Sequence, residues 1–265
     1  MPRRPSPPRK LLRALRAARK VERAATRPDD DDWVITIGDV CDKGAGAAVV
    51  TALASHTLRA AAIQDPSPAH GLSLLNDALL RTDGNRFCTA AMVRLRRLDG
   101  VWQLSSCAAG HPLPLHIDAS HTVTSIGTPG TLLGVVSELK LFETATRLAP
   151  GNTVVVYTDG VTEARAPDGT FYGDQRLLTN LAAATGTAND IVTTLLADVL
   201  DYQRRVARDD IAIVAYVSRS CSSPVRIAQL HAARLRACRG AGLRPSGWTC
   251  HSAARLPNPG WSVAD

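Results

Sequence analysis

The chain has 265 residues, of which 45% are hydrophobic, 21% charged and only 4% aromatic. This composition excludes collagen-like, coiled-coil and wholly disordered proteins. No run approaches the roughly 18 consecutive apolar residues that a membrane-spanning helix needs. The basic N-terminus also lacks the apolar segment of a secretory signal, because Arg13, Arg16 and Arg19 interrupt it. We therefore expect a cytoplasmic protein without a transmembrane segment.

The net charge of +7 is unevenly distributed along the chain. Residues 1–28 hold ten Lys or Arg and one Glu, and residues 219–265 hold seven Arg and one Asp. The middle, residues 29–218, is left with 14 bases against 22 acids. An acidic domain thus lies between two basic flanks. No aromatic residues alternate with the flanking bases as a stacking platform requires, so no specific nucleic-acid binding is expected.

The two flanks differ from the middle in composition. Residues 1–28 are predicted to be a Pro/Arg-rich linker or, over Arg9–Ala25, a short helix. Residues 219–265 show no periodic pattern and are predicted to be disordered. The six cysteines include no C-x-x-C pair, so neither a disulfide framework nor a zinc site is indicated.

The middle is periodic throughout and punctuated by turn residues, which indicates a folded domain over residues 29–218. Its predicted strands and helices, in chain order, are strand Trp33–Val40, helices Ala47–Ile63 and His70–Arg81, hairpin strands Phe87–Leu98 and Val101–Ala108, strands Leu113–Ile117, Thr122–Ile126, Leu139–Leu148 and Thr153–Tyr157, helices Asp174–Ala184 and Ala188–Val206, and strand Ile211–Val217. Many antiparallel strands with helices inserted in pairs predict an α+β fold of layered sheets covered by helices.

Three apolar strands run directly into, or out of, an aspartate in a tight turn. These aspartates are Asp39, Asp159 and the pair Asp209–Asp210. Any one of them is most simply a turn residue. Together, rigid carboxylates at strand ends suit hard divalent cations such as Mg²⁺ or Mn²⁺. Three of them would serve two ions and a water that attacks a phosphate ester.

Five stretches carry a resemblance to a known family and occur in the family's order. They are IGDVCDKGAGAAVVTALASHTLRAAA (37–62), RFCTAAMVRL (86–95), AAGHPLPLHI (108–117), YTDGVTEARAPDGTFYGDQRL (157–177) and RDDIAIV (208–214). Residues 29–218 are identified by these motifs as resembling the SpoIIE/RsbU-type serine phosphatases. Those belong to the PPM (PP2C-like) metal-dependent phosphatases of bacteria.

The resemblance implies a PP2C-like αββα sandwich, two antiparallel sheets flanked by helices, with two Mn²⁺ or Mg²⁺ ions at one edge. Asp39 would match the bridging carboxylate, with the carbonyl of Val40 beside it, and Asp159 and Asp209 the other acidic ligands. Asp210 is the weaker candidate, because the family ligand is the first residue of the pair. The implied substrates are phosphorylated STAS-domain anti-sigma-factor antagonists, with dephosphorylation regulating sigma factors. Whether the chain forms a homodimer is left open.

One departure from the family pattern concerns its first acidic motif, G-G-D-x-Y/F-D, which precedes the strand that ends at Asp39. Residues 1–28 contain neither Asp nor Gly. The motif and its strand are therefore expected to be missing, which would leave Trp33–Val40 with an unpaired edge. On this hypothesis the chain is an N-terminally truncated or misstarted phosphatase domain with a weakened metal site. The alternative is an inactive, phosphatase-like domain that binds a regulatory partner without hydrolysis.

Other patterns suggest other chemistry with less support. Cys88 and Arg94 have the C-x5-R spacing of cysteine-dependent phosphatases, but the interval is apolar and reads as a strand. Residues 30–34 match an aspartyl-phosphate motif without the apolar strand that should precede it. The turn at Gly44 and Gly46 is an incomplete dinucleotide-binding pattern. His111 is expected to pack or to form a hydrogen bond rather than to catalyse.

Overall fold

The computed structural model of the chain describes residues 20–29, 32–40, 45–82, 86–204, 209–218, 231–235 and 251–252. Within these residues the strands form two six-stranded sheets. The first sheet contains β1 (Lys20–Asp29), β2 (Asp32–Val40), β3 (Cys88–Leu98), β4 (Val101–Ala109), β7 (Pro129–Gly130) and β8 (Thr144–Leu148). The second contains β5 (Leu115–Ile117), β6 (Val123–Ser125), β9 (Thr153–Tyr157), β10 (Ile211–Val217), β11 (His231–Leu235) and β12 (His251–Ser252).

Five helices of the described residues accompany these sheets. They are α1 (Ala45–Gln64), α2 (Pro68–Leu80), α3 (Asp159–Thr162), α4 (Gly173–Ala183) and α5 (Ala188–Tyr202). Buried side chains of α1 and α2 form one core with the outer face of the first sheet. Those of α4 and α5 form a second core with the outer face of the second sheet. Between the sheets lies a third core, to which Ile35 and Val214 belong. This layering confirms the predicted αββα sandwich.

Local sequence explains why several elements begin or turn where they do. The β3–β4 hairpin turns at Asp99 and Gly100, whose positive φ angles of 50° and 79° suit the twist of a two-residue hairpin loop. Helix α2 begins after Ser67, whose side chain accepts a hydrogen bond from the backbone N–H of His70. These local signals agree with the tertiary arrangement.

Strand β1 corrects one prediction from the sequence. It pairs antiparallel with β2, so β2 lies between β1 and β3 rather than at an unpaired edge. The strand also differs from the helix predicted over residues 9–25, of which residues 9–19 lie outside the described part. Among the described residues, the β1 residue in register with Asp39 is Val21, which has no acidic side chain.

The C-terminal flank also differs from its prediction at two short segments. The sequence predicted disorder over residues 219–265. The structure pairs β11 with β10 and β12 with β11, extending the second sheet. Residues 219–230, 236–250 and 253–265 lie outside the described residues.

Helix α1 is the one described helix that is long and apolar enough to cross a membrane by length and composition, over Gly46–Gln64. The sequence contains no uninterrupted apolar run of this length here, because polar residues such as Thr51 interrupt it. In the structure, Val50, Leu58 and Ala62 of the helix are buried in the core beneath it. α1 therefore packs as an outer-layer helix of the sandwich.

Candidate metal centre

Asp39 lies at the end of β2, on the strand face that points between the two sheets. Ile35 and Ile37, which share that face, belong to the inter-sheet core. Only 7% of Asp39 is exposed, and its Oδ1 atom is buried without a hydrogen-bond partner. The neighbouring Gly38 lets β2 approach β3 closely, because a Cβ there would lie 2.5 Å from the carbonyl oxygen of Thr89. A rigid backbone thus holds a buried carboxylate.

Asp159 follows β9 and begins the single-turn helix α3. Burial raises the pKa of its carboxyl group, and the charge of Glu163 adds to the rise. Hydrogen bonds from the backbone N–H groups of Gly160 and of Asp159 itself oppose it. Asp159 itself is half-buried.

Asp209 and Asp210 lie directly before β10. Asp210 is buried, and Asp209 is half-buried. The Oδ1 atom of Asp209 accepts a hydrogen bond of 2.8 Å from the backbone N–H of Asp210. This bond fixes the carboxylate of Asp209 relative to the start of the strand.

The pKa shift of Asp39 shows that these three places in the chain lie near one another in space. It is raised to about 8, first by burial and then by the charges of Asp159, Asp209 and Asp210. The backbone N–H of Val40 donates to the Asp39 carboxyl group and lowers the pKa slightly. Residues from three distant parts of the sequence therefore lie within electrostatic range of one buried carboxyl group. Like charges gathered without a compensating cation are unfavourable.

Val40, the predicted carbonyl ligand, is the last residue of β2 and is buried. It therefore adjoins the acidic centre. Residues 41–44, which include Gly44 of the dinucleotide-like turn, lie outside the described residues, as do residues 30 and 31 of the aspartyl-phosphate pattern.

The cysteine-phosphatase alternative finds no support in the structure. Cys88 is a buried, free thiol, and burial together with the charge of Asp39 raises its pKa to about 12. A nucleophilic thiolate needs the opposite environment. Arg94 points its guanidinium at Asp32, at the other end of β2, rather than at the thiol.

His111 connects the two sheets beside the acidic centre. Its Nδ1 atom lies 3.0 Å from the Oγ1 atom of Thr89, the residue opposite Asp39 in β3. Burial lowers its pKa to about 4, with the backbone carbonyl of Tyr157 opposing the shift, so the ring is neutral at pH 7. Its Nε2 atom has no partner within hydrogen-bond distance. His111 therefore makes the hydrogen bond that the sequence led us to expect, to Thr89 beside the acidic centre.

The oxygen atoms of this site are the kind of ligand that divalent metal ions prefer, although the protein side chains do not enclose an ion. The oxygen ligands are hard, and the unpartnered Oδ1 atom of Asp39 is a free acceptor beside other carboxylates. Among the described residues, no group of three or more His, Cys, Asp or Glu side chains is arranged so that it could hold an ion by itself. Waters would have to complete any coordination shell, as is usual for Mg²⁺.

Comparison with known proteins agrees with this architecture. The family model for stage II sporulation protein E (SpoIIE) matches residues 29–217. Protein IcfG of Synechocystis sp. is 26% identical over an alignment of 215 residues that covers 70% of this chain and 34% of IcfG, so the chain spans about a third of that relative.

Two solved phosphatase domains share the fold. The SiaA-PP2C domain of Pseudomonas aeruginosa superposes with a TM-score of 0.65 at 22% identity, covering 76% of this chain and 80% of that one. The PP2C phosphatase domain of SpoIIE from Bacillus subtilis superposes with a TM-score of 0.62 at 15% identity, covering 77% and 59% respectively. The chain belongs to the SpoIIE family of PP2C-type serine/threonine phosphatase domains.

Proposed function

We propose that this chain is a metal-dependent phosphoprotein serine/threonine phosphatase that uses two Mn²⁺ or Mg²⁺ ions. The observation that carries the proposal is the buried, unpartnered Oδ1 atom of Asp39 among the charges of Asp159, Asp209 and Asp210. A fold does not gather buried carboxylates at a cost in stability without a compensating ligand. Divalent cations are the ligands that this donor set suits best.

In the proposed site, Asp39, the carbonyl of Val40, Asp159 and Asp209 would hold the two ions, with Asp39 as the central carboxylate. The ions would supply a water of lowered pKa for the attack on phosphorus, so that no covalent enzyme intermediate is needed. In the metal-free chain Asp39 holds a proton at pH 7, because its pKa is about 8. Asp39 must release that proton before it can ligate an ion.

The proposed substrate is a phosphorylated STAS-domain anti-sigma-factor antagonist, and the proposed compartment is the cytoplasm of a bacterium. The membership in the SpoIIE family supports both. A homodimer is compatible with this role. The acidic middle of the chain agrees with a cation-dependent site rather than with direct recognition of nucleic acid.

The experiment is Mn²⁺-dependent hydrolysis of p-nitrophenyl phosphate by the full chain, compared with Asp159→Ala. The matched control is Asp168→Ala, which removes an exposed carboxylate in the turn that follows α3. We expect hydrolysis by the wild type and by Asp168→Ala, and background rates with Asp159→Ala. A phosphorylated STAS protein then replaces the generic ester to test the substrate class.

A second candidate function is partner binding without hydrolysis. It is favoured by two observations: the β1 residue opposite Asp39 is Val21, not an acidic residue, and the described carboxylates do not close around one point. This second function predicts that the wild type and Asp159→Ala both hydrolyse the ester only at the background rate. Both should still bind a phosphorylated STAS protein, and that result would establish partner binding without hydrolysis.

A further inference from the structure

Thr158 lies between β9 and the turn that carries Asp159, and it is completely buried. It is the residue before helix α3, where a threonine ordinarily caps the helix with its side chain. Its hydroxyl group makes no such capping bond. A buried hydroxyl group that does not cap its own helix must be bonded elsewhere.

The hydroxyl group of Thr158 is bonded to the other acidic turn. It donates to the backbone carbonyl of Asp210, with 3.2 Å between the oxygens, and accepts from the backbone N–H of Ala212 at 3.0 Å. The backbone N–H of Thr158 also donates to the carbonyl of Ala212 at 3.1 Å. Thr158 therefore makes three hydrogen bonds to residues 210–212, and none of them runs within its own turn.

At the end of the β9–β10 ladder, one of these hydrogen bonds goes to a side chain instead of to the backbone. Tyr157 is the last β9 residue in register, opposite Ile213, so residue 158 falls opposite residue 212. In a regular antiparallel ladder, the N–H of Ala212 would donate to the backbone carbonyl of residue 158. Here the side-chain oxygen receives that hydrogen bond instead. The main chain can thus turn away towards Asp159 while both strands stay bonded.

Gly160 brings the same two turns into contact from the other side of Asp159. A Cβ atom at this position would lie 2.3 Å from the carbonyl oxygen of Asp210, the oxygen to which Thr158 donates. Only glycine permits this approach. Thr158 and Gly160, on either side of Asp159, therefore both contact the backbone carbonyl group of Asp210.

We propose that Thr158 is a positioning residue for the metal site, whose hydroxyl group fixes the carboxylates of Asp159 and Asp209 relative to each other. This inference rests on the proposed function, because it assigns the hydroxyl group a role in ion binding. Groups that orient the ligands of a metal typically change its affinity about 10- to 100-fold when they are removed.

The experiment measures Mn²⁺ binding by calorimetry, without substrate, for the full-length wild type, Thr158→Val and Thr158→Ser. Valine keeps the shape of threonine without the hydroxyl group, and serine keeps the hydroxyl group. We expect Thr158→Val to bind Mn²⁺ at least about 10-fold more weakly, and Thr158→Ser to bind within about threefold of the wild type. Amide hydrogen exchange at Ala212 should accelerate in Thr158→Val alone.

The matched control is Thr153→Val, at the opposite end of β9, where the threonine is also buried. It makes the same chemical change in the same strand but far from the acidic turns. Equal Mn²⁺ affinities for Thr158→Val and Thr153→Val would overturn the positioning role while leaving the proposed function intact. A wild type that binds no Mn²⁺ would overturn both. Should Thr158→Val not fold, Thr158→Ala provides the same comparison.

Discussion

The two ends of β2 carry buried aspartates in opposite situations. Asp32, 8% exposed, is the first residue of the strand, and Asp39, 7% exposed, is the residue before the last. Asp32 accepts hydrogen bonds from the guanidinium of Arg94, the closest at 2.5 Å, and the charge is balanced within the fold. Asp39 has an unpartnered oxygen and carboxylates for neighbours. One end is complete as a structural ion pair, and at the other end one carboxyl oxygen has no hydrogen-bond partner.

The comparison predicts that removing the two carboxylates will have different consequences. Asp39→Asn should lower phosphatase activity at least about 100-fold, because even residues that only orient metal ligands contribute up to that much. Asp32→Asn should leave kcat within about twofold, since it lies at the far end of the strand. Steady-state kinetics with Mn²⁺ and p-nitrophenyl phosphate measure both. Comparable losses of phosphatase activity in the two variants would contradict the different roles given to the two ends of β2.

At the Asp32 end, stability rather than activity should respond. Arg94→Met leaves a buried carboxylate without its arginine and should lower the free energy of unfolding by about 1–3 kcal/mol. Urea denaturation of the metal-free protein measures the loss. As control, Arg147→Met removes an exposed arginine of β8 and should change stability by less than about 0.5 kcal/mol. A loss no larger than in the control would show that the ion pair is dispensable.

At the Asp39 end, the metal-free protein should lose stability as the pH rises. The pKa of Asp39 is about 8 in the folded state and near 3.8 in the unfolded chain, so the folded state binds more protons between these values. Its stability contribution is fully present below pH 3.8 and is lost as the pH rises through 8. Between pH 5 and pH 9 we expect the wild type to lose at least about 1 kcal/mol more than Asp39→Asn.

Urea denaturation in EDTA at several pH values tests this expectation. Addition of Mg²⁺ should restore stability most strongly at the higher pH values, because the ion replaces the proton on Asp39. Parallel pH profiles for the wild type and Asp39→Asn would contradict the raised pKa.

The smallest expected effect concerns Arg96, the second arginine near Asp32. Its Nε atom lies 3.9 Å from the Oδ2 atom of Asp32, and half of its side chain is exposed. Exposed ion pairs of this kind contribute little. Arg96→Gln should change the free energy of unfolding by less than about 0.5 kcal/mol. A change as large as that in Arg94→Met would mean that Asp32 depends on both arginines equally.

The central strands of the sandwich were predictable with accurate boundaries. β9 and β10 have the bounds that the sequence predicted, because each is a continuous apolar run rich in β-branched residues and bounded by turn residues. β1 was not predictable, since six of the ten residues of Lys20–Asp29 are Ala, Arg, Lys or Glu, which favour helix. Its strand conformation follows from pairing with β2 rather than from its own propensity.

A long-range contact explains why β8 is shorter than predicted. The apolar pattern over Leu139–Leu148 suggested one strand, but β8 begins only at Thr144. The side chain of Glu143 accepts hydrogen bonds from the Oγ atom of Ser67 at 2.8 Å and the N–H of Ala69 at 3.0 Å. It thereby caps the first turn of α2 from a distant part of the chain. No pattern local to residues 139–148 encodes this contact.

The sequence singled out the carboxylates of the candidate site but not their electrostatic surroundings. Asp39, Asp159 and Asp209 stood out because apolar strands lead into or out of them. Thr158 did not stand out, although it belongs to the same Tyr-Thr-Asp-Gly turn, because threonine is an ordinary turn residue. Its actual partners, Asp210 and Ala212, lie more than 50 residues away.

The sequence by itself determined most strands and turns of residues 29–218 and which carboxylates lie at strand ends, because hydrophobic periodicity and turn chemistry are local properties. It did not show how the charges of Asp32 and Asp39, which lie near the two ends of the same strand, are balanced. Only the tertiary structure brought Arg94 to one of them and three further acidic residues to the other. Whether a buried carboxylate is paired or left for a metal depends on neighbours distant in the chain, since electrostatic energies are set by distance in space and by burial.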